Sequence, residues 1–352
     1  MKQLNEEFLE IFTSLLQIPA PPGREEKMAE AIRKRLTASG YKSETDPAGN
    51  IIVRLDCAGH EKPKTIFAAH MDEIGMTVTK IEGNGDLRVC PSGGLHPCKL
   101  GERQVVVCTD KDMTISGVFS MGSTHSKAFK DGVWAPDWDS VRIVTGLTPQ
   151  ELKEAGVRPG SSAVPSPEGR GPYIFGSPKS PLISAWSFDD RAGVAILLLL
   201  LKELKKKKFE SSCPLLVAFT THEEGGCHGA RALAAREKPE RFISIDGCPV
   251  VDPEVLKLDG RPGIWSKDMF GNYDQRLVRD LMRAASEAGT ELQPTVNDCA
   301  SSDASEARQA GGADRVATMG YVAQNSHGFA VANIGVFSNV FNTLLCFTEK
   351  FC

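Results

Sequence analysis

The spacing of apolar and polar positions changes along the chain, and the pattern over the first 74 residues is typical of an α/β domain. Apolar residues at helical spacing predict an amphipathic helix over 4–16. The proline-rich run 19–23 interrupts this pattern, and a second apolar stripe predicts a helix over 24–39. Two short apolar runs then predict strands over 51–55 and 65–69.

The sequence pattern from residue 75 to residue 178 is typical of β-structure. Short β-like runs alternate with turns rich in glycine and proline, and helical periodicity is confined to 148–155. The Gly-Asn-Gly sequence at 83–85 is typical of a hairpin turn. The predicted strands lie over 77–81, 87–90, 104–108 and 116–119. This pattern predicts a small all-β insertion, a barrel or a sandwich, within the α/β domain.

From residue 183 onwards the pattern is again typical of an α/β domain. Asp189 or Asp190 is expected to cap a long helix that is apolar up to Leu201 and basic at its end. The apolar run 213–219 predicts a strand that is buried on both faces. Further strands are predicted over 241–245 and 315–323, and further helices over 230–237, over 273–288 and from 331 onwards.

These elements predict an α/β fold with a doubly wound mixed sheet sandwiched by helices and an inserted small β-barrel domain. The main domain is expected to comprise residues 1–74 and 179–352, and the insertion residues 75–178.

Composition excludes several classes of function. The net charge of −4 gives no basic field for nucleic acid. Ten cysteines without a paired zinc motif are typical of reduced cytoplasmic thiols. The longest apolar run, 192–201, is too short to span a bilayer, and the N-terminus lacks the apolar region of a signal peptide. We therefore expect a cytoplasmic protein that binds neither nucleic acid nor membrane.

The candidate catalytic and metal-binding residues follow the ends of predicted strands or lie at a strand-to-helix turn. The ligand-type side chains at these points are His70, Asp189, Glu223, Glu224, Asp246 and His327. In a doubly wound sheet these points share one edge, so the six side chains can converge there. Imidazole and carboxylate ligands without thiolate suit zinc, cobalt or manganese, and six exceed what one tetrahedral zinc needs. The sequence therefore predicts a site for two divalent metal ions, zinc before cobalt or manganese.

Asp72 lies two residues after His70, so in extended backbone both side chains are on one face. Its carboxylate is therefore expected to accept the spare N–H of the ligating imidazole.

Most of these residues also have a simpler structural interpretation. His70 could be a hydrogen-bonded core histidine, and His327 a loop histidine. Asp189 could be only a helix N-cap, a role that Asp190 could fill instead. Asp246 could belong to an Asp-Gly turn. The glutamate pair could lie in a solvated loop, although a buried strand precedes it.

Four motifs are similar to those of the tetrahedral (TET) deblocking and glutamyl aminopeptidases, dinuclear metallopeptidases of clan MH whose members are sometimes labelled cellulase- or endoglucanase-like. They occur in family order at 70–75 (HMDEIG), 188–193 (FDDRAG), 223–225 (EEG) and 302–304 (SDA). The run 18–23 and the β insertion also match, so the resemblance covers nearly the whole chain. The first two motifs are specific when found together.

The resemblance implies a zinc-exopeptidase-like fold and a role for each residue. Asp189 would bridge two metals, with His70 and Asp246 on one ion and Glu224 and His327 on the other. Glu223 would be the general base that takes a proton from water, and Asp72 would be the catalytic partner of the imidazole.

The resemblance further implies an aminopeptidase that acts on the N-terminal residue of peptide substrates. The protein would self-associate, from a dimer up to a dodecamer, and residues 75–178 would make the dimer contacts. The chain departs from the family at His222, Gly226, Cys227, His228 and Gly328, near the pocket but outside the expected ligand set.

Three other functions are compatible with parts of this pattern. One is a deacylase of N-acyl amino acids, or another hydrolase, on the same scaffold. A glycosidase would use Glu223 and Glu224 as acid and nucleophile, but adjacent residues at one strand end rarely face each other across a sugar. A non-catalytic scaffold could bind peptide ends, against which the intact Glu223 argues.

Overall fold

The computed structural model describes residues 2–55, 57, 64–123, 125 and 136–352. Within these ranges the α-helices are α1 (Lys2–Leu16), α2 (Glu26–Ala38), α3 (Pro97–Leu100), α4 (Pro149–Ala155), α5 (Phe188–Lys206), α6 (His228–Glu237), α7 (Gln275–Glu287), α8 (Asp303–Gln309) and α9 (Gly335–Phe351).

The β-strands of the same ranges are β1 (Glu44–Thr45), β2 (Ile51–Leu55), β3 (Thr65–His70), β4 (Gly75–Ile81), β5 (Leu87–Ser92), β6 (Arg103–Cys108), β7 (Thr114–Ser120), β8 (Arg142–Val144), β9 (Ser162–Pro165), β10 (Tyr173–Ser177), β11 (Ser180–Trp186), β12 (Leu215–Thr220), β13 (Arg241–Ile245), β14 (Cys248–Pro249), β15 (Gly263–Asp268), β16 (Gly271–Asn272), β17 (Gln293–Val296), β18 (Arg315–Gly320), β19 (Val322–Gln324) and β20 (Phe329–Asn333).

The largest sheet has a parallel centre with antiparallel flanks. Its strand order over the described residues is β1-β2-β12-β3-β13-β18-β15-β16, with β17 beside β15. Strands β12, β3, β13 and β18 run parallel to one another, whereas β2 and β15 pair antiparallel with the outer two. Every residue of β3, β12 and β13 is buried, as expected for strands covered by helices on both faces.

Helices pack onto this sheet in two groups. Helix α5 packs on β3 and α9 on β18, and both also contact α1, where the ring of Phe8 stacks on Phe337 with centroids 4.2 Å apart. Helix α8 packs on β13 and β18 and is backed by α6. The first helix of the chain thus forms part of the same core as the last.

The two adjacent aspartates at the start of α5, Asp189 and Asp190, make different contacts. Asp190 Oδ1 accepts a hydrogen bond from the Gly193 backbone N–H at 2.9 Å, which is the contact of a helix cap. The backbone of Asp189 and Asp190 is non-helical, and the continuous helix follows them. Asp190 therefore supplies the cap, and the Asp189 carboxylate does not make this contact.

The β insertion forms a closed barrel with strand order β4-β5-β8-β7-β6-β9. Its interior is filled by apolar side chains such as Met76, Val105 and Phe119. The Gly-Asn-Gly turn joins β4 to β5 as the sequence predicts. Gly85 has φ +86°, and a Cβ there would lie 1.7 Å from the Leu147 carbonyl oxygen, so only glycine fits this turn.

A second, five-stranded sheet in the described part of the chain, ordered β10-β11-β20-β19-β14, corrects two predictions. The strand predicted over 315–323 is two strands in two sheets, because the chain leaves the large sheet at Gly320, where a Cβ would lie 1.8 Å from the Asp246 carbonyl oxygen. The helix predicted from 331 begins at Gly335, since residues up to Asn333 pair with β11.

A buried ion cluster joins the large sheet, the barrel region and α5. Glu73 lies 3.0 Å from Arg170 Nη1 and 3.3 Å from Arg191 Nη2, and all three side chains are fully buried. Glu73 also accepts hydrogen bonds from Ser187 Oγ at 2.6 Å and from the Ala20 N–H at 3.0 Å. One carboxylate thus fixes the segment that leads directly into Asp189.

The predicted α/β class with an inserted barrel is confirmed. In the described part of the chain, no helix has both the length and the apolarity needed to cross a membrane.

Candidate active site

The parallel centre of the large sheet brings His70 beside the glutamate pair. His70 is the last residue of β3, and it is level with Thr220, the last residue of β12. Glu223 and Glu224 follow in the turn that leads to α6. Both therefore lie at the carboxyl edge of the sheet, where open α/β sheets place their chemistry.

Asp72 holds the backbone of both glutamates. Its Oδ1 accepts the Glu223 N–H at 2.9 Å, and its Oδ2 accepts the Glu224 N–H at 3.0 Å. His70 Nδ1 lies 3.2 Å from the Asp72 backbone oxygen and 3.4 Å from Oδ1. The expected contact with the imidazole is thus shared between the carbonyl and the carboxylate of Asp72. The hydrogen bonds that this carboxylate accepts from the two glutamate N–H groups are not predicted by the sequence.

The five predicted ligands converge. His70 Nε2 lies 2.9 Å from Asp189 Oδ1, and His70, Asp189 and Glu224 each offer one ligand atom within 4.8 Å of the others. Asp246, which follows β13, offers an atom within the same limit of Asp189. His327 Nε2 lies 3.7 Å from Asp189 Oδ2 and 3.6 Å from Glu224 Oε1. Asp189 is therefore the residue that the other ligands surround.

His327 reaches the cluster from a different sheet than predicted. It lies in the turn between β19 and β20 of the five-stranded sheet, with φ 56°, and not at the end of β18. Its Nδ1 is 3.1 Å from the Gly94 carbonyl oxygen, which belongs to the segment after β5. A Cβ at Gly94 would lie 2.4 Å from that ring nitrogen, so the barrel side of the site approaches the imidazole closely.

Burial concentrates negative charge in this cluster. Burial, with the nearby carboxylates, raises the pKa of Glu223 and of Glu224 well above the usual range. The same causes raise the pKa of Asp246 to about 8. Burial acts to lower the pKa of His70, but hydrogen bonds to Asp189 and Asp72 outweigh it and raise that pKa. Each shift means that the cluster favours added positive charge.

A divalent cation would supply that charge, and the donors present fit one. Glu224 Oε1 is buried and has no hydrogen-bond partner among the described residues, which is costly for a carboxylate oxygen. Imidazole nitrogens and carboxylate oxygens are ligands of zinc and of related first-row metals. The described acidic groups can therefore hold metal.

Metal-free protein is expected to lose stability as pH rises from about 4 to about 8. The folded-state pKa of Asp246 is raised from 3.8 to about 8, so in this window the folded chain retains a proton that the unfolded chain has lost. Unfolding then releases a proton, and the free energy of unfolding falls with increasing pH. Urea midpoints of chelated protein at about pH 5 and about pH 8 measure the effect. A flat profile would contradict it, and added zinc should abolish the decline.

An open cleft of about 290 Å³ leads to the cluster. Its walls carry Trp265, Met269, Cys299 and Glu306 in addition to five of the predicted site residues, Asp189, Glu223, Glu224, Asp246 and His327. The sequence does not predict these four as site residues: Trp265 and Met269 lie far from the motifs, and Cys299 and Glu306 flank the motif at 302–304 without being part of it. The sequence identifies Cys227, which also lines the cleft, only as a departure from the family.

The fold is similar to that of the TET1 peptidase of Pyrococcus horikoshii, with a TM-score of 0.84 and 26% identity over 97% of this chain and 99% of that chain. That peptidase can assemble into a tetrahedron or a large octahedral shell. The shared fold and the convergent histidine and carboxylate residues define a hydrolase that acts on peptides.

Sequence comparison gives the family. The chain is 27% identical to a glutamyl aminopeptidase of Lactococcus lactis over 68% of this chain and 66% of that enzyme. It is 29% identical to a lysyl aminopeptidase of Pyrococcus furiosus over 57% of this chain and 55% of that enzyme. The sequence model of the M42 glutamyl aminopeptidases matches residues 49–342, and the chain belongs to this family.

Proposed function

We propose that the protein is an aminopeptidase that releases N-terminal residues from peptides at a centre of two divalent metal ions. The observation that carries this proposal is the convergence of His70, Glu224, Asp246 and His327 around Asp189. Asp189 would be shared between the ions, with His70 and Asp246 on one side and Glu224 and His327 on the other. Zinc fits these donors, and cobalt or manganese are alternatives.

When bound, the ions would supply Lewis acidity to the scissile carbonyl and to the attacking water. Glu223 would act as the general base. Its Oε2 lies 3.9 Å from His70 Nε2, beside the ligand cluster, and can take the proton of the water. The same carboxyl group can then donate that proton to the nitrogen of the leaving amine.

Asp72 would act through the two glutamates. Because its two oxygens hold adjacent backbone N–H groups, the base and a metal ligand keep a fixed separation. Such positioning would allow two neighbouring glutamates to have different roles, with Glu224 as a metal ligand and Glu223 as the general base.

The cleft favours a substrate with a free amino terminus. Its walls combine carboxylates with the apolar surfaces of Trp265 and Met269, so a cationic α-amino group and a side chain can both be accommodated. The lactococcal and pyrococcal relatives are named as glutamyl and lysyl aminopeptidases, and both substrates have this amino group in common.

Self-association is also part of the proposal, with residues 75–178 as the dimerisation domain of a catalytic domain formed by 1–74 and 179–352. Val118 and Val144 are paired neighbours on β7 and β8, and both are exposed on the outside of the barrel. Exposed paired valines suit a protein interface. The described cysteines other than Cys57 are free thiols, which suits a cytoplasmic location.

Removal of metal is the test of this proposal. Chelated protein should lose hydrolysis of aminoacyl substrates, and zinc, cobalt or manganese should restore it. Binding should also stabilise the fold, by about 2.7 kcal/mol at a free metal concentration of 100 times Kd. A matched panel of N-acylated substrates should remain uncleaved.

Two outcomes would contradict the proposal. Turnover that survives complete metal removal would exclude the metal centre and favour a carboxylate mechanism. Cleavage of the N-acylated substrates alone would identify a deacylase on the same scaffold.

A further inference from the structure

The carboxylate of Glu223 faces two different groups. Its Oε2 is directed toward His70, at 3.9 Å from Nε2. Its Oε1 lies 3.4 Å from the thiol sulfur of Cys227, which can donate a hydrogen bond to it. Glu223 therefore stands between the ligand cluster and a second group of side chains on its far side.

That second group consists of Glu223, Cys227 and Asp303. Each offers one ligand atom, and the three atoms lie within 4.8 Å of one another. Cys227 directly precedes α6 and Asp303 begins α8, so two helix starts that pack together carry the group. Cys227 is 2% exposed and Asp303 is 1% exposed.

One carboxylate oxygen of Asp303 lacks a hydrogen-bond partner in the described part of the chain. Its Oδ2 accepts a hydrogen bond from the Thr220 hydroxyl. Its Oδ1 is buried and has no hydrogen-bond partner among the residues that the structure describes. An unpartnered, buried carboxylate oxygen beside a thiol and a second carboxylate provides donor atoms that a cation would satisfy.

We propose that Glu223, Cys227 and Asp303 form a third cation site, which takes a thiophilic divalent ion such as zinc or cadmium. Thiolate sulfur combined with carboxylate oxygen distinguishes this site from the dinuclear cluster, which has no sulfur ligand. Binding would release the thiol proton to solvent, as coordination of cysteine requires. Three protein ligands leave a position for water.

The cation can reach this site from the substrate cleft. Both Glu223 and Cys227 line the cleft, whereas the buried Asp303 does not. An ion that enters there would meet the sulfur first and then the free oxygen of Asp303.

Occupation of the third site would inhibit the enzyme, a consequence that rests on the proposed role of Glu223 as base. A cation on Oε1 lowers the basicity of the whole carboxylate and fixes its orientation. Turnover should therefore rise while the dinuclear centre fills and fall again when excess zinc or cadmium occupies the third site.

The test titrates cadmium into enzyme already loaded with zinc and records two quantities, the bound metal per chain and the ultraviolet charge-transfer absorption of a cadmium–thiolate bond. The wild-type protein should bind one further equivalent with this absorption. Cys227→Ser keeps a small hydrogen-bonding side chain, and it should lose the absorption and weaken cadmium binding at least about tenfold. Asp303→Asn should also weaken binding.

Cys299→Ala is the matched control, because Cys299 is an exposed thiol on the same cleft. This variant should keep both the further equivalent and the absorption. Equal stoichiometry and absorption in the wild type and in Cys227→Ser would overturn the third site. A cadmium–thiolate band with no effect on turnover would leave the site standing and count against Glu223 as base, so the two proposals fail separately.

Discussion

Glu223→Gln is expected to lower kcat by about 10²- to 10⁴-fold, with metal content and KM nearly unchanged. The amide keeps the size and the backbone contacts of Glu223, including the hydrogen bond from its N–H to Asp72. It cannot accept a proton from water at neutral pH, so the loss should appear in the chemical step. Steady-state kinetics on an aminoacyl substrate, with bound metal measured on the same sample, provide the readout.

Glu224→Gln is the informative companion to this variant. It alters the neighbouring side chain, whose Oε1 lies 3.6 Å from His327 Nε2. Since Glu224 is proposed as a ligand, this variant should lose metal as well as activity. Full turnover of Glu223→Gln at normal metal content would exclude Glu223 as the base.

Glu73→Ala is expected to lower the free energy of unfolding by about 3–5 kcal/mol. The substitution leaves two fully buried guanidinium groups, those of Arg170 and Arg191, without their carboxylate partner. The uncompensated charges are the cause, because burial of an unpaired ion is far more costly than loss of the ion pair itself. Urea denaturation monitored by circular dichroism measures the change.

The matched control for this prediction is an exposed ion pair. Glu30 on α2 contacts Lys34 at 2.6 Å in solvent, so Glu30→Gln should leave the denaturation midpoint almost unchanged. An equally small effect of Glu73→Ala would show that the two arginines find other partners. In that case the cluster would not be what fixes the segment before Asp189.

The parts of the fold that the sequence predicts well have one dominant physical cause. The uninterrupted apolar runs of β3 and β12 required burial on both faces, which only a helix-covered parallel sheet provides. The same argument placed His70 and the glutamates at one edge. The Gly-Asn-Gly turn at 83–85 likewise has few conformations available, and it forms the predicted hairpin.

The errors occur where competing pairings have similar local patterns. The run 315–323 is apolar apart from Arg315 and Thr318, so its pattern does not mark the exchange of sheets at Gly320, where the chain passes close to the distant Asp246 backbone. The sequence pattern predicts a helix for residues 331–333 because their pairing with β11 is a long-range contact. The position of His327 depends on both, and its neighbour Gly94 belongs to the β insertion.

The third group, Glu223, Cys227 and Asp303, could not have been recognised from the sequence. The motif 302–304 is similar to a family motif, but no sequence signal connects Asp303 with Cys227. Their proximity comes from the packing of α6 on α8. Tertiary contacts of this kind have no period and no fixed spacing along the chain.

The residues that form the core and the proposed metal centre are synthesised at different stages of translation. Phe8 stacks on Phe337, so the first helix meets this partner only near the end of translation, whereas β3 can pair once β12 and β13 have been synthesised. His327 also emerges late. A nascent chain therefore lacks one of the proposed metal ligands until residue 327 has been synthesised.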